Sequence, residues 1–192
     1  MTSADQLGEV FLRRPKRADA RRNYDALIAA ARTVFGECGT GASLEEVARR
    51  AGVGIGTLYR NFPSRRDLFE AVYVDEVQAL SRSAADLSDL PPWDALVAWL
   101  HRFVAYAATK RALAEELIHD SDVFRTCRIE IFAAGEPLLR RAQDAGVARP
   151  DASFEDVIRL ISGITAYQFM EPAQRDRVLA MALDGVRYTG PR

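Results

Sequence analysis

Thr57, Tyr59, Arg60, Asn61 and Arg65 gather a hydroxyl, a phenol, an amide and two guanidinium groups into nine residues of the chain. An Arg can reach the O6 and N7 acceptors of guanine with two parallel N–H bonds. An Asn can match the N6 donor and N7 acceptor of adenine, and a Thr can touch a phosphate or a thymine methyl. A Tyr hydroxyl can donate to a phosphate oxygen. This is chemistry of recognition, with no bond made or broken.

Two short helices must present these groups. Ser43, Leu44, Glu45 and Glu46 have the order of a capping box, in which the Ser hydroxyl accepts from the Glu46 amide and the Glu46 carboxylate reaches back to the Ser amide. Leu44, Val47, Ala48 and Ala51 share one face of the helix that follows, and Arg49 and Arg50 the other. Gly52 suits the left-handed residue that ends it. Val53, Ile55 and Leu58 are expected to return to the core, leaving Gly54, Gly56, Thr57, Tyr59, Arg60 and Asn61 outward, with Ser43 at the edge of the same surface. Each glycine in so short a helix costs about 1 kcal/mol relative to Ala. The compensation would be close approach of a backbone to something as large as a phosphate strand. Residues 43–62 therefore read as a helix-turn-helix, whose second helix meets the major groove of DNA.

The flanks agree with that reading. Residues 1–20 are expected to be a mobile arm, basic through Arg13, Arg14, Lys16 and Arg17 and extended by Arg21 and Arg22. Such an arm can follow phosphates or enter a minor groove. A first helix is predicted over residues 23–38, with Leu27, Ile28, Ala31, Val34 and Phe35 as its apolar face. Ser64 and Asp67 open a further helix, running to about residue 86, that carries Arg65 and Arg66 in its first turn. Cations there oppose the helix dipole, so their position makes sense beside a phosphate.

The run from Asn23 to Tyr73 resembles the amino-terminal domain of the TetR/AcrR family of bacterial transcription regulators. The resemblance lies in the Phe35-Gly36 end of the first helix, Gly41-Ala42-Ser43 opening the second, Gly52 to Tyr59 in the third, and Phe62-Pro63-Ser64-Arg65 leading into the fourth. It implies that Thr57, Tyr59, Arg60 and Asn61 lie on the recognition helix and that Arg65 grips a phosphate.

Charge is divided along the chain. Residues 1–66 hold twelve Lys and Arg against seven Asp and Glu, a net of +5, whereas residues 67–192 hold fourteen against twenty, a net of −6. A basic head on an acidic body fits a protein that offers one end to nucleic acid. Hydrophobic residues at 48% and charged residues at 28% are ordinary for a globular protein. No apolar run suits a membrane span, and the first dozen residues lack the apolar segment of a signal peptide, so a cytoplasmic location is expected. Cys38 and Cys127 match no metal spacing and read as free thiols.

The remainder shows helical periodicity throughout. The expected fold is all-α with about nine helices, divided into a head over residues 21–80 and a body over 81–192. In the body, helices are predicted over residues 93–109, continuing at 113–119 after a bend, and over 123–145, where Pro137 should kink or split the helix. Ser153 caps another to about residue 170, and Pro172 starts the last, to about residue 186.

Trp99, Phe103, Phe132 and Tyr167 read equally as plain core and as the lining of a pocket. The resemblance tilts them toward a pocket for a small-molecule effector of unknown chemistry. The last two helices, with Ser162, Gly163 and Ala166 as a small-residue patch, would supply a homodimer interface on the same resemblance. A dimer is also what one short recognition helix needs, because paired half-sites supply the missing affinity.

Glu115 and His119, with His101, Glu116, Asp120 and Asp122 nearby in sequence, could be tested as metal ligands, but two histidines without cysteine partners favour a solvated face. No metal or cofactor is expected. No nucleophile elbow, phosphate loop or dinucleotide fingerprint occurs, so the chain reads as a non-enzyme. The expected function is a ligand-responsive repressor binding a palindromic double-stranded DNA operator. The alternative is an architectural or constitutive DNA-binding factor with no inducer.

Overall fold

The computed structural model describes residues 14–38, 41–113, 122–166, 171–188 and 190. Eight α-helices and no strand occur among the described residues: α1 Ala18–Cys38, α2 Leu44–Arg50, α3 Ile55–Asn61, α4 Arg65–Arg82, α5 Pro92–Leu113, α6 Asp122–Asp144, α7 Phe154–Ala166 and α8 Pro172–Val186. A 3-10 turn, Ala85–Leu87, follows α4. The chain divides into two compact units, Met1–Ala79 with Thr109–Glu130, and Leu80–Ala108 with Ile131–Arg192. The boundary falls inside α4, α5 and α6.

In the first unit α1 starts at Ala18, five residues before the predicted Asn23, so the end of the expected arm is already helical. Its first turn has no apolar stripe to mark it. Asp19 sits there instead, ion-paired to Arg22 and well placed for the helix dipole. The apolar face follows the predicted period, with Leu27, Ala31, Val34 and Phe35 fully buried and the Phe35 ring stacked on Phe69 of α4 at 4.2 Å. Gly52 ends the α2 segment at φ +70°, and the Val53 amide donates back to the Ala48 carbonyl at 3.0 Å. Ser64 and Asp67 form both halves of a capping box: the Asp67 amide donates to Ser64 Oγ at 3.2 Å and the Ser64 amide to Asp67 Oδ2 at 2.8 Å. α4 stops at Arg82, earlier than predicted, where the chain tightens into the 3-10 turn.

The second unit is built around Trp99 of α5, which is fully buried. Its indole N–H donates to the Leu80 carbonyl at 3.2 Å, and its ring packs beside Phe103 and Phe154. α5 runs unbroken to Leu113; the predicted continuation over 113–119 lies almost wholly outside the described residues. α6 is not split at Pro137. Pro137 and Ala133 are both exposed, so the carbonyl that loses its i+4 donor faces water, which can satisfy it. Gly146, at φ +67°, turns the chain after α6. Ser153 and Asp156 repeat the reciprocal capping box before α7. Past α8 the chain returns alongside the loop after α6: the Arg149 amide donates to the Val186 carbonyl at 2.9 Å and the Tyr188 amide to the Val147 carbonyl at 3.0 Å.

Candidate nucleic-acid interface

α2 is capped from one side only. The Glu46 amide reaches Ser43 Oγ at 3.4 Å, as predicted, but the Glu46 carboxylate does not return to the Ser43 amide. Arg49 takes it with two bonds of 2.8 and 2.7 Å and Arg50 with a third of 2.7 Å. Those guanidinium donors push the Glu46 carboxyl down to about 2. Arg50 also pairs with Glu37 of α1 at 2.7 Å. Two carboxylates therefore offset the positive charge of α2, which leaves the basic character of the head to Arg60 of α3, Arg65 at the start of α4 and the amino-terminal segment. Ser43 Oγ donates to Glu45 Oε2 at 2.6 Å and holds that carboxyl below its usual range.

α3 is held by Leu58, fully buried, and by Phe62 just beyond its end, whose ring lies 4.9 Å from that of Tyr24. Burial, followed by the nearby charge of Asp75, raises the Tyr24 phenol to about 12. Ile55 does not join this stripe as predicted: it is 38% exposed, because it is the first residue of the helix and overhangs the turn. Gly54, Gly56, Tyr59 and Arg60 are exposed, and Thr57 and Asn61 half-buried. Gly54 caps α3 with φ −71°, and neither it nor Gly56 has a neighbour within 4 Å of where a Cβ would stand. Neither backbone strain nor internal packing requires glycine at these two positions.

The side chains on this face are already engaged. Arg60 bends back along its helix, Nε donating to the Gly56 carbonyl at 3.2 Å and Nη2 to Thr57 Oγ1 at 2.9 Å. Asn61 Nδ2 donates to the Thr57 carbonyl at 2.8 Å. Arg65 is half-buried: its guanidinium lies 5.1 Å over the Phe69 ring while Nη1 donates to the Ala42 carbonyl at 2.6 Å, tying the start of α4 to the residue before the α2 cap. Arg66 is exposed and pairs with Glu70. Of the basic arm, Arg14 bonds Asp25 at 2.6 Å, Lys16 and Arg17 are exposed, and Arg13 lies outside the described residues.

Of the aromatics expected around an effector pocket, Trp99 and Phe103 stack on each other at 6.0 Å. Trp99 and Phe103 are buried, Phe132 stands edge-on to Phe154 at 5.3 Å, and Tyr167 lies outside the described residues. Cavities occur among the described residues. One of about 300 Å³ touches Tyr24, Asn61, Asp67, Glu70 and Val123, and one of about 250 Å³ touches Arg149, Asp156, Leu160 and Val186. Periodicity gave no sign of either, because each wall is assembled from separate elements. His101 is exposed, Asp122 pairs with Arg125, and Glu115, Glu116, His119 and Asp120 are outside the described residues. Among the described residues no three His, Cys, Asp or Glu side chains are grouped to hold a metal. No helix among them is long and apolar enough to cross a membrane.

Residues 27–72 match the family model described as bacterial regulatory proteins, tetR family, and residues 91–188 match that of the SbtR-like transcriptional regulator C-terminal domain. A TetR transcriptional regulator from Streptomyces coelicolor is 41% identical, with a TM-score of 0.76 over 86% of this chain and 99% of that one. The chain belongs to the TetR family. A second TetR regulator, from Mycobacterium vanbaalenii, is 31% identical, with a TM-score of 0.70 over 90% of this chain and 99% of its own. As a TetR-family protein it is a DNA-binding transcription regulator and not an enzyme, with α2 and α3 in the place of the helix-turn-helix.

Proposed function

We propose that this TetR-family protein is a ligand-responsive repressor that binds a palindromic operator as a homodimer. The observation that carries the DNA-contact assignment is the outer face of α3, where Tyr59 is 46% exposed, Arg60 is exposed, and the space beside Gly54 and Gly56 is open to an approaching backbone. On this reading Arg60 and Asn61 read bases, Tyr59 binds a phosphate, and Thr57, Ser43, Gly54 and Gly56 line the contact. Arg14, Lys16 and Arg17 add phosphate contacts along the arm. Arg65 grips a phosphate while one Nη1 hydrogen stays on the Ala42 carbonyl, a bond that holds the guanidinium in place.

The dimer reading is supported by the outer faces of α7 and α8, where Leu160 is 44% and Met181 72% exposed beside exposed Gly163 and Ala180. A constitutive factor without an inducer is the second reading, favoured by the packed Trp99, Phe103 and Phe154 rings. Thermal shift against a metabolite panel, with operator binding measured in parallel, decides between them. A compound that raises the melting temperature and releases DNA supports induction; one that stabilises the protein and leaves DNA affinity unchanged refutes it. Sedimentation of a Leu160→Glu, Met181→Glu variant tests the dimer, and an unchanged sedimentation coefficient would exclude this face.

A further inference from the structure

We infer that Thr57 is the positioning residue that turns Arg60 into a guanine reader, and that the two act as one unit; the inference rests on the DNA-contact reading above. In a helix the Cα–Cβ bonds tilt toward the amino terminus, so a long side chain lies over the residues three and four positions before it. For Arg60 those are Thr57 and Gly56, and both accept from it: the Gly56 carbonyl from Nε at 3.2 Å and Thr57 Oγ1 from Nη2 at 2.9 Å.

A guanidinium has two forks, one formed by Nε with Nη2 and one by Nη1 with Nη2. The helix occupies the first. Because the group is planar, the Nη1 and Nη2 hydrogens at its far end then form a parallel pair directed away from those two acceptors. That end-on fork fits the O6 and N7 acceptors of guanine. Adenine presents N7 beside an amino donor, so one of the two bonds is replaced by a clash of donors. Asn61 spends an amide hydrogen on the Thr57 carbonyl and is half-buried, which leaves Arg60 as the more available reader of the two.

Fixing the guanidinium before DNA arrives removes part of the ordering cost of binding. Immobilising a side chain of this kind accounts for about a 2- to 12-fold change in affinity. Loss of the bidentate contact itself accounts for about a 5- to 150-fold change in discrimination.

Selection of bound duplexes from a randomised pool by the full-length protein, followed by sequencing, tests this directly. Unaltered protein should enrich a motif with a guanine whose preference disappears in Arg60→Ala and in Arg60→Lys, although Lys keeps the charge. Thr57→Val, equal in shape but without an acceptor, should weaken binding to duplexes carrying that guanine about 2- to 12-fold more than binding to unrelated DNA, at an unchanged melting temperature, and Thr57→Ser should restore the preference. In an Arg60→Ala background Thr57→Val should have no further effect. The inference is overturned if Thr57→Val keeps the full guanine preference, if it weakens all sequences equally, if its effect persists without Arg60, or if Arg60→Lys retains the preference. If the unaltered protein enriches no motif at all, the DNA-contact reading itself fails, which is a different result.

Discussion

Gly135 lies in α6 against two buried aromatic rings, and Gly135→Ala tests how tightly the second unit is packed. A Cβ at this position would stand 2.2 Å from Phe154 Cζ and 2.7 Å from the far edge of Trp99. Carbon atoms settle near 3.5 Å or beyond, so the Phe154 ring must retreat by about 1.3 Å. It has little room to do so: Trp99 is fully buried on one side and Phe132 stands edge-on to it. Overpacking of this kind costs about 1 to 3 kcal/mol, and the size of the displacement places this case near the upper end. The better helix propensity of Ala returns about 1 kcal/mol. The net expectation is a loss of about 2 kcal/mol, read as a fall in urea midpoint and a melting temperature lower by about 4 to 8 °C. Phe154→Leu removes the atoms in the way, so the double variant should lose less stability than the two single changes together. A neutral or stabilising Gly135→Ala, or strict additivity with Phe154→Leu, would refute the packing argument.

The same substitution at Gly56 should have the opposite sign, since the space there is empty and φ is not positive: Gly56→Ala gains about 0.5 to 1 kcal/mol in a denaturant titration yet weakens binding in a gel-shift or anisotropy assay. Glu46 has a folded-state value lowered to about 2 by Arg49 and Arg50, so the stabilisation it contributes is complete above the ordinary Glu range and is lost as pH falls from about 4.5 toward 2. Glu46→Gln should remove that part of the acid unfolding curve, and an unchanged curve would show the pairs to be inconsequential. Cys127 is buried, with its thiol pushed up to about 12, whereas Cys38 is exposed. A thiol reagent at pH 8 should therefore label one cysteine in the native protein and two in denaturant, with mass spectrometry placing the first label on Cys38.

The helical elements were legible because their signals are local. Gly52 and Gly146 announce their left-handed turns, and Ser64 with Asp67 and Ser153 with Asp156 announce their caps, through a few neighbouring residues. The reading failed where a partner outside the window decided the outcome. Glu46 fits a capping box by type and spacing, but Arg49 and Arg50 compete for its carboxylate. Ile55 has the right period for the core and the wrong place in the helix. The α1 start at Ala18 was hidden because an exposed first turn carries no apolar stripe. At the candidate interface the residue types could be read, but not that Arg60, Asn61 and Arg65 are bonded within the protein, because that depends on rotamers and on chain segments far apart in sequence.

The backbone bonds joining residues 147 and 149 to residues 188 and 186 have a practical consequence for anyone altering the end of the chain. They close residues 147–188 into a loop, so α7 and α8 do not depend on helix packing alone to stay together. Truncation at Val186 would spare every residue of α8 and yet remove the donor from Tyr188, leaving the Val147 carbonyl without it. An affinity tag or fluorescent fusion therefore belongs after Tyr188, and amide exchange at Arg149 and Tyr188 offers a residue-level gauge of whether a given fusion has left that closure intact.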